Sequence, residues 1–176
     1  MAITRSAAIV TIGAVGLAVA LSAPADADRA AGRPRAAATL VDATGAVVGS
    51  ARFMEDRAGR VHVVVRVSGL TPGPHGIHVH ATGACAPTFD AAGSHHNPLG
   101  RLHGEHAGDL PNLRVNVNGH GRLSATSASF TLSAGPTSAL DANGSALVVH
   151  ALPDDFVTQP TGGSGARVAC GVITSE

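Results

Sequence analysis

From Ala38 to Ile173 the chain is a series of short β-branched runs, each closed by turn residues at intervals of about ten, and this spacing leaves no room for a helical core. The clearest run has Val61, Val63, Val65 and Val67 alternating with His62, Val64 and Arg66, the period of a strand with one buried face. Strands are expected over Ala38 to Asp42, Val47 to Met54, Val61 to Val67, Gly76 to His80, Leu113 to Val117, Gly121 to Ala125, Ser129 to Leu132, Ala146 to Ala151 and Val168 to Ile173. Breaks fall at Ala43-Thr44-Gly45, Asp56 to Gly59, Ser68 to Pro74 and Asn118-Gly119. Such strands bury their apolar faces only against one another, so the fold class is all-β, a sandwich or flattened barrel. Two long connections, Ala81 to Pro111 and Leu152 to Gly165, interrupt the pattern, and loops of that length in a compact domain are usually functional.

Residues 1–27 read as a secretory signal: Arg5, an apolar run from Ala7 to Leu21, then small residues ending Ala25-Asp26-Ala27. The run is too short for a spanning helix, which needs roughly twenty residues, so no membrane partner is expected after cleavage. Residues 28–37 form a flexible leader rich in Arg, Ala and Pro, and 38–176 a single domain. An exported chain meets an oxidising compartment, so Cys85 and Cys170 are expected to form one disulfide, adding about 4 kcal/mol in the chain-entropy view. Twelve basic residues, all arginine, balance twelve acids at zero net charge. That balance offers no basic stripe, so neither nucleic acid nor another polyanion is indicated as a partner.

The chain has ten histidines and no lysine, an allocation that points to metal chemistry. His78 and His80 are two apart on an extended segment, so their rings leave the same face and can grip one ion. His150 ends the apolar strand Leu147-Val148-Val149 and offers a third imidazole; three alone fit zinc, copper or iron. His95, His103, His106 and Asp109 fall within fifteen residues and make a closed three-nitrogen, one-oxygen set that suits structural zinc. If the two groups lie together, His95 can serve both, because an imidazole deprotonated at both nitrogens bridges two cations.

The segment Pro74-His-Gly-Ile-His-Val-His80, the run Ala92-Gly-Ser-His-His-Asn-Pro98, the stretch His106-Ala-Gly-Asp-Leu-Pro-Asn112 and the endings Leu147-Val-Val-His150 and Arg167-Val-Ala-Cys-Gly-Val-Ile173 resemble the copper-zinc superoxide dismutase family. The resemblance runs in order from about Ala37 to Ile173. It implies a Greek-key β-sandwich or flattened eight-stranded barrel of the bacterial, exported type. It also implies dismutation of superoxide to dioxygen and hydrogen peroxide, with copper at His78, His80, His95 and His150 and zinc at His95, His103, His106 and Asp109. His95 would bridge the metals and act in catalysis, Arg167 would draw the anion in, and Asp154 would join His78 to His103 from behind. Cys85 and Cys170 match the family disulfide. A noncatalytic copper-binding or copper-delivery module of the same fold is the alternative. The oligomeric state is left open, with a homodimer among the outcomes, and the exported protein is periplasmic, wall-associated or secreted.

Three departures from the commoner family pattern stand out. Only Gly104 and Glu105 separate His103 from His106, which asks for a tight turn at zinc. The lack of lysine leaves steering mainly to Arg167. His96 stands where an aromatic or leucine is usual and is expected to pack. Of the other histidines, His75 is expected to brace backbone, His62 to point outward from a strand and His120 to sit in a turn. Asp90, Glu105 and Asp155 are expected to be loop acids outside the metal set.

Overall fold

A computed structural model describes residues 32–176; the segment read as a signal lies outside them, as do residues 28–31 of the leader. Nine antiparallel strands follow in order: β1 (Arg35–Val41), β2 (Val47–Glu55), β3 (Val61–Val67), β4 (Gly73–His75), β5 (Ile77–His80), β6 (Leu113–Val115), β7 (Gly121–Ser127), β8 (Ser145–His150) and β9 (Arg167–Ser175). β1 begins at Arg35, three residues inside the stretch read as leader. Among the described residues no helix is long and apolar enough to cross a membrane.

The strands join in the order β4-β6-β7-β3-β2-β1-β9-β8-β5. β4 and β5 stand at opposite ends of that order yet are separated only by Gly76, so the segment 73–80 nearly closes the sheet into a barrel. Taken as one interrupted stave, it gives the eight staves expected. The connections from β3 to β4 and from β7 to β8 each cross two intervening strands, a Greek-key arrangement.

One expected strand does not form. Ser129 to Leu132 makes only a bridge from Thr131 to Ser138. The segment is instead pinned by Glu55, whose buried carboxylate accepts the backbone N–H groups of Leu132 and Ser133 at 2.7 Å each. Phe130 thereby stays in the core without a ladder.

Inside the barrel, Leu40, Phe53, Val61, Val63, Val65, Ile77, Leu113, Phe130, Leu147 and Val149 pack as one cluster. Each fully buried Val, Leu or Ile contributes roughly 1.5–3 kcal/mol of transfer free energy. β5 and β8 are buried on both faces. Ile77 and Val79 point into the core, so His78 and His80 must point outward, and the long connections cover them. Ala92, Ala146, Val148 and Cys170 form a second cluster there, packed against Cys85 and Phe89.

Candidate metal centre

The free edge of β5 holds the connection 81–112 in place. His96 donates its N–H to the carbonyl of Val79 at 2.8 Å, and Val79 donates to that of Gly108 at 2.9 Å, so backbone from the loop runs beside the strand. Isolated bridges pair His78 with Asp109 and His80 with His95. Residues far apart in sequence therefore meet because an edge strand takes a loop as its partner.

Two ligand groups result. In the first, His78, His80, His95 and His150 present nitrogens within 4.8 Å of one another; in the second, His95, His103, His106 and Asp109 do so with a carboxylate oxygen. His95 belongs to both, and its ring stacks on that of His78 with centroids 3.9 Å apart. All six of these imidazoles are buried. The short His103 to His106 spacing is accommodated because Gly104 adopts φ +92°, a left-handed conformation that turns both rings to one side.

Most rings are anchored by the nitrogen facing away from the groups. His80 Nδ1 donates to the carbonyl of Gly93 at 2.9 Å, and His150 Nδ1 to that of Gly165 at 3.2 Å. His78 Nε2 and His103 Nε2 donate to the two oxygens of Asp154, each at 2.8 Å. These bonds fix the tautomers and leave lone pairs aimed inward. Three inward atoms, His78 Nδ1, His95 Nε2 and His103 Nδ1, are buried and have no hydrogen-bond partner in the protein. Buried polar atoms of this kind are costly and call for an explanation, which a cation supplies.

The second group also has the size zinc requires. A tetrahedron with bonds near 2.0–2.1 Å has edges of about 3.4 Å. His106 Nδ1 lies 3.4 Å from His95 Nδ1 and 3.5 Å from Asp109 Oδ1, while Asp109 Oδ1 is 3.0 Å from His95 Nδ1. His103 Nδ1 stands 3.4 Å from the other oxygen of Asp109. That oxygen also accepts the N–H groups of Gly104 and His106 at 2.8 and 3.0 Å. The residues present therefore fit the two metals.

The electrostatics agree with neutral donors. Burial lowers the pKa of His78, of His80 to about 2 and of His150 to about 4, so these rings are uncharged and available at neutral pH. Burial alone would raise Asp154 and Asp109, but the bond from His78, seconded by His103, holds Asp154 well below the usual carboxylate range. The bond from His95 does the same for Asp109.

Arg167, on β9, donates from Nη1 to the carbonyl of Phe89 and from Nη2 to that of Gly93, both at 2.6 Å. Gly93 thus holds both the arginine and His80. A cavity of about 290 Å³ is bordered by Arg167, His80, His95, His150, Thr161 and Gly165, so the guanidinium and the first group share one opening. The disulfide between Cys85 and Cys170 clamps the connection carrying Phe89 and Gly93 onto β9.

The remaining expectations fall into place. His75 Nδ1 lies 2.7 Å from the carbonyl oxygen of His150 and Nε2 2.8 Å from that of Thr71, so it braces backbone behind the site. His96 is buried beside the carbonyl of Thr137, outside both groups. His62 faces outward from β3 against Asp56 and Thr126, and His120 sits in an exposed turn. Asp155 caps its own turn at Val157 and Thr158. Asp90 lies 3.9 Å from Arg167 Nε and Glu105 3.8 Å from Arg101, both outside the ligand groups.

Three positioning residues had no assigned role in the sequence. Asn112 exchanges two 2.8 Å hydrogen bonds with the backbone of Asp154. Gln159 accepts the N–H of His103 at 2.7 Å. Gly162, at φ +63°, lies so close that a Cβ there would collide with Asp154 Oδ1 and His103 Nε2. The Gly162-Gly163 pair in a long loop was the signal available for the last.

A family model described as copper/zinc superoxide dismutase matches residues 47–173. A relative named superoxide dismutase (Cu-Zn) from Deinococcus radiodurans is 38% identical, covering 96% of this chain and 97% of its own. Another, superoxide dismutase (Cu-Zn) 2 from Aquifex aeolicus, is 38% identical over 79% of this chain and 86% of its own. Among solved structures, a SOD-like protein from Bacillus subtilis superposes with a TM-score of 0.74 at 34% identity, covering 77% of this chain and 96% of its own. With the motifs in order, the barrel nearly closed and both histidine groups assembled, the chain belongs to the copper/zinc superoxide dismutase family.

Proposed function

We propose that this protein is an exported superoxide dismutase that converts two superoxide anions and two protons to dioxygen and hydrogen peroxide. His78, His80, His95 and His150 would hold copper; His95, His103, His106 and Asp109 would hold zinc. The observation that carries the reading is the trio of buried, partnerless ring nitrogens, one of them on His95, beside a cavity that Arg167 also borders. When bound, copper supplies the one-electron redox chemistry and zinc, which has none, fixes the loop and the shared ring.

The chain's own residues do the rest. Arg167, permanently charged and held by two carbonyls, attracts the anion and orients it with the N–H groups left free. His95 borders the same cavity, and its partnerless Nε2 can hold a proton, then release it toward the peroxide product. Asp154 keeps His78 and His103 in the tautomers the metals need. The disulfide and the Ala25-Asp26-Ala27 signal pattern support action outside the cytoplasm, in the periplasm, at the wall or beyond.

Metal analysis and a dismutation assay on one purified sample test the reading: copper and zinc at one each with turnover supports it. Both metals without turnover would make the protein a copper-holding module instead. Steering of small anions raises encounter rates by about 10 to 1000-fold, and enzymes of this family are a known example. An Arg167→Ala variant should therefore keep its metals and lose on the order of tenfold in rate at low salt, with most of its salt dependence. Retention of nearly the full rate would remove Arg167 from the role.

A further inference from the structure

Away from the metals, the outer face of β1, β2, β3, β7 and β6 carries five exposed arginines. Arg66 stands directly opposite Arg122, and Arg122 directly opposite Arg114, so three guanidiniums lie side by side across three strands. Arg52 is the diagonal neighbour of Arg66, because Ser50 faces Arg66 two residues away on β2. Arg35 is likewise diagonal to Arg52, which faces Ala37. The five form one oblique track, Arg35–Arg52–Arg66–Arg122–Arg114, on the order of 25 Å long from cross-strand spacings of about 5 and 7–8 Å.

None of the five makes an ion pair with an acid among the described residues; the arginines that do are Arg60, Arg101 and Arg167. Neighbouring acids are committed elsewhere. Glu55 points into the core, and Asp56 is taken by Arg60 and His62. Glu176 borders only the Arg35 end of the shallow groove beside the track. Like charges directly opposite on a sheet are destabilising, so the row costs stability without a partner inside the fold.

The geometry points to this track as a docking surface for a linear, phosphate-bearing polyanion. A line of charge fits a line of charge. The outer wall of a nearly closed barrel is convex, so a flat membrane would touch only part of the track, whereas a chain can follow it. Phosphate is favoured over carboxylate because its oxygens point in several directions and one group can accept from guanidiniums on adjacent strands, while a planar carboxylate takes one fork. No Phe, Tyr or Trp lies on this face to stack a base, since Phe53 of β2 is buried inward, and the one ring there, His62, is engaged by Asp56 and Thr126, so a polymer without bases fits better than nucleic acid. The histidine groups lie on β5, β8 and their loops, among the staves that the track does not cross, so a bound polymer leaves the metal opening clear.

The test is binding of the mature, metal-loaded protein to inorganic polyphosphate, compared with Arg66→Ser/Arg114→Ser/Arg122→Ser. Wild type should bind at low salt and weaken on the order of a hundredfold between about 50 and about 200 mM, as about five released counterions require. The triple variant should bind at least about tenfold more weakly while its dismutation rate and unfolding midpoint do not fall. If the triple variant does not fold, Arg122→Glu alone should show the same direction of loss. Absence of binding at low salt, equal binding by the variant, equal affinity for a carboxylate polysaccharide or single-stranded DNA, or tighter binding to anionic vesicles would each overturn the proposal.

Discussion

At the scale of the residue, Asp154 ties the two histidine groups together without belonging to the ligand set expected of either. Its oxygens hold His78 and His103 at 2.8 Å each, so its orientation sets one ring in each group. An Asp154→Asn amide has one acceptor where the carboxylate has two, and affinity for both metals should fall about ten- to a hundredfold, read by competition with a chelator. Unchanged affinity at one site would restrict the role of Asp154 to the other. The buried rings also set a pH response in the metal-free protein. His80 is pushed to about 2 and His150 to about 4 from an ordinary 6.5, first by burial. Below pH about 6.5 the unfolded chain binds protons that these folded rings refuse, so stability is full above that value and declines as pH falls toward 4. The unfolding midpoint of the metal-free protein should drop steadily between pH 7 and 5; a flat profile would contradict the burial assigned here.

At the scale of the element, β5 explains why a short stretch of sequence carries so much. Its period of two sends Ile77 and Val79 inward and His78 and His80 outward, and that much was legible from alternation alone. The capture of residues 95–109 along its free edge was not legible, because backbone pairing leaves no side-chain signature. The failure of Ser129 to Leu132 to form a strand has a related cause. Its apolar residues fit a strand pattern, but the N–H groups of Leu132 and Ser133 are satisfied by Glu55, a side chain 77 and 78 residues earlier. Glu55→Ala leaves two N–H groups without an acceptor and should cost about 3 kcal/mol, measured by denaturant unfolding, with the metal groups intact. A loss under about 1 kcal/mol would mean that water replaces the carboxylate.

At the scale of the whole molecule, the disulfide joins stability to the site. It links residues 85 apart, and replacing both cysteines by alanine should cost about 4 kcal/mol in the chain-entropy view. Because the same clamp sets Phe89 and Gly93 against Arg167, the variant should also lose dismutation rate at temperatures where it remains folded. A folded variant with full rate would show that the two carbonyls hold the arginine unaided. The arginine track belongs to this scale too: the residues are scattered between 35 and 122, the sequence shows no basic run, and only pairing five strands lines them up. By itself the sequence determined the strand alternation, the outward pair on β5, the tight turn at Gly104 and the side chains able to ligate a metal, because all follow from spacings of a few residues. Only the tertiary structure decided that His95 lies in both groups, that Asp154 reaches a ring in each, and that Arg167 opens onto the same cavity as His80, His95 and His150. Those relations span tens of residues, and they exist because a nearly closed barrel leaves the edge of β5 for a loop to pair with, and one covalent clamp holds that loop there.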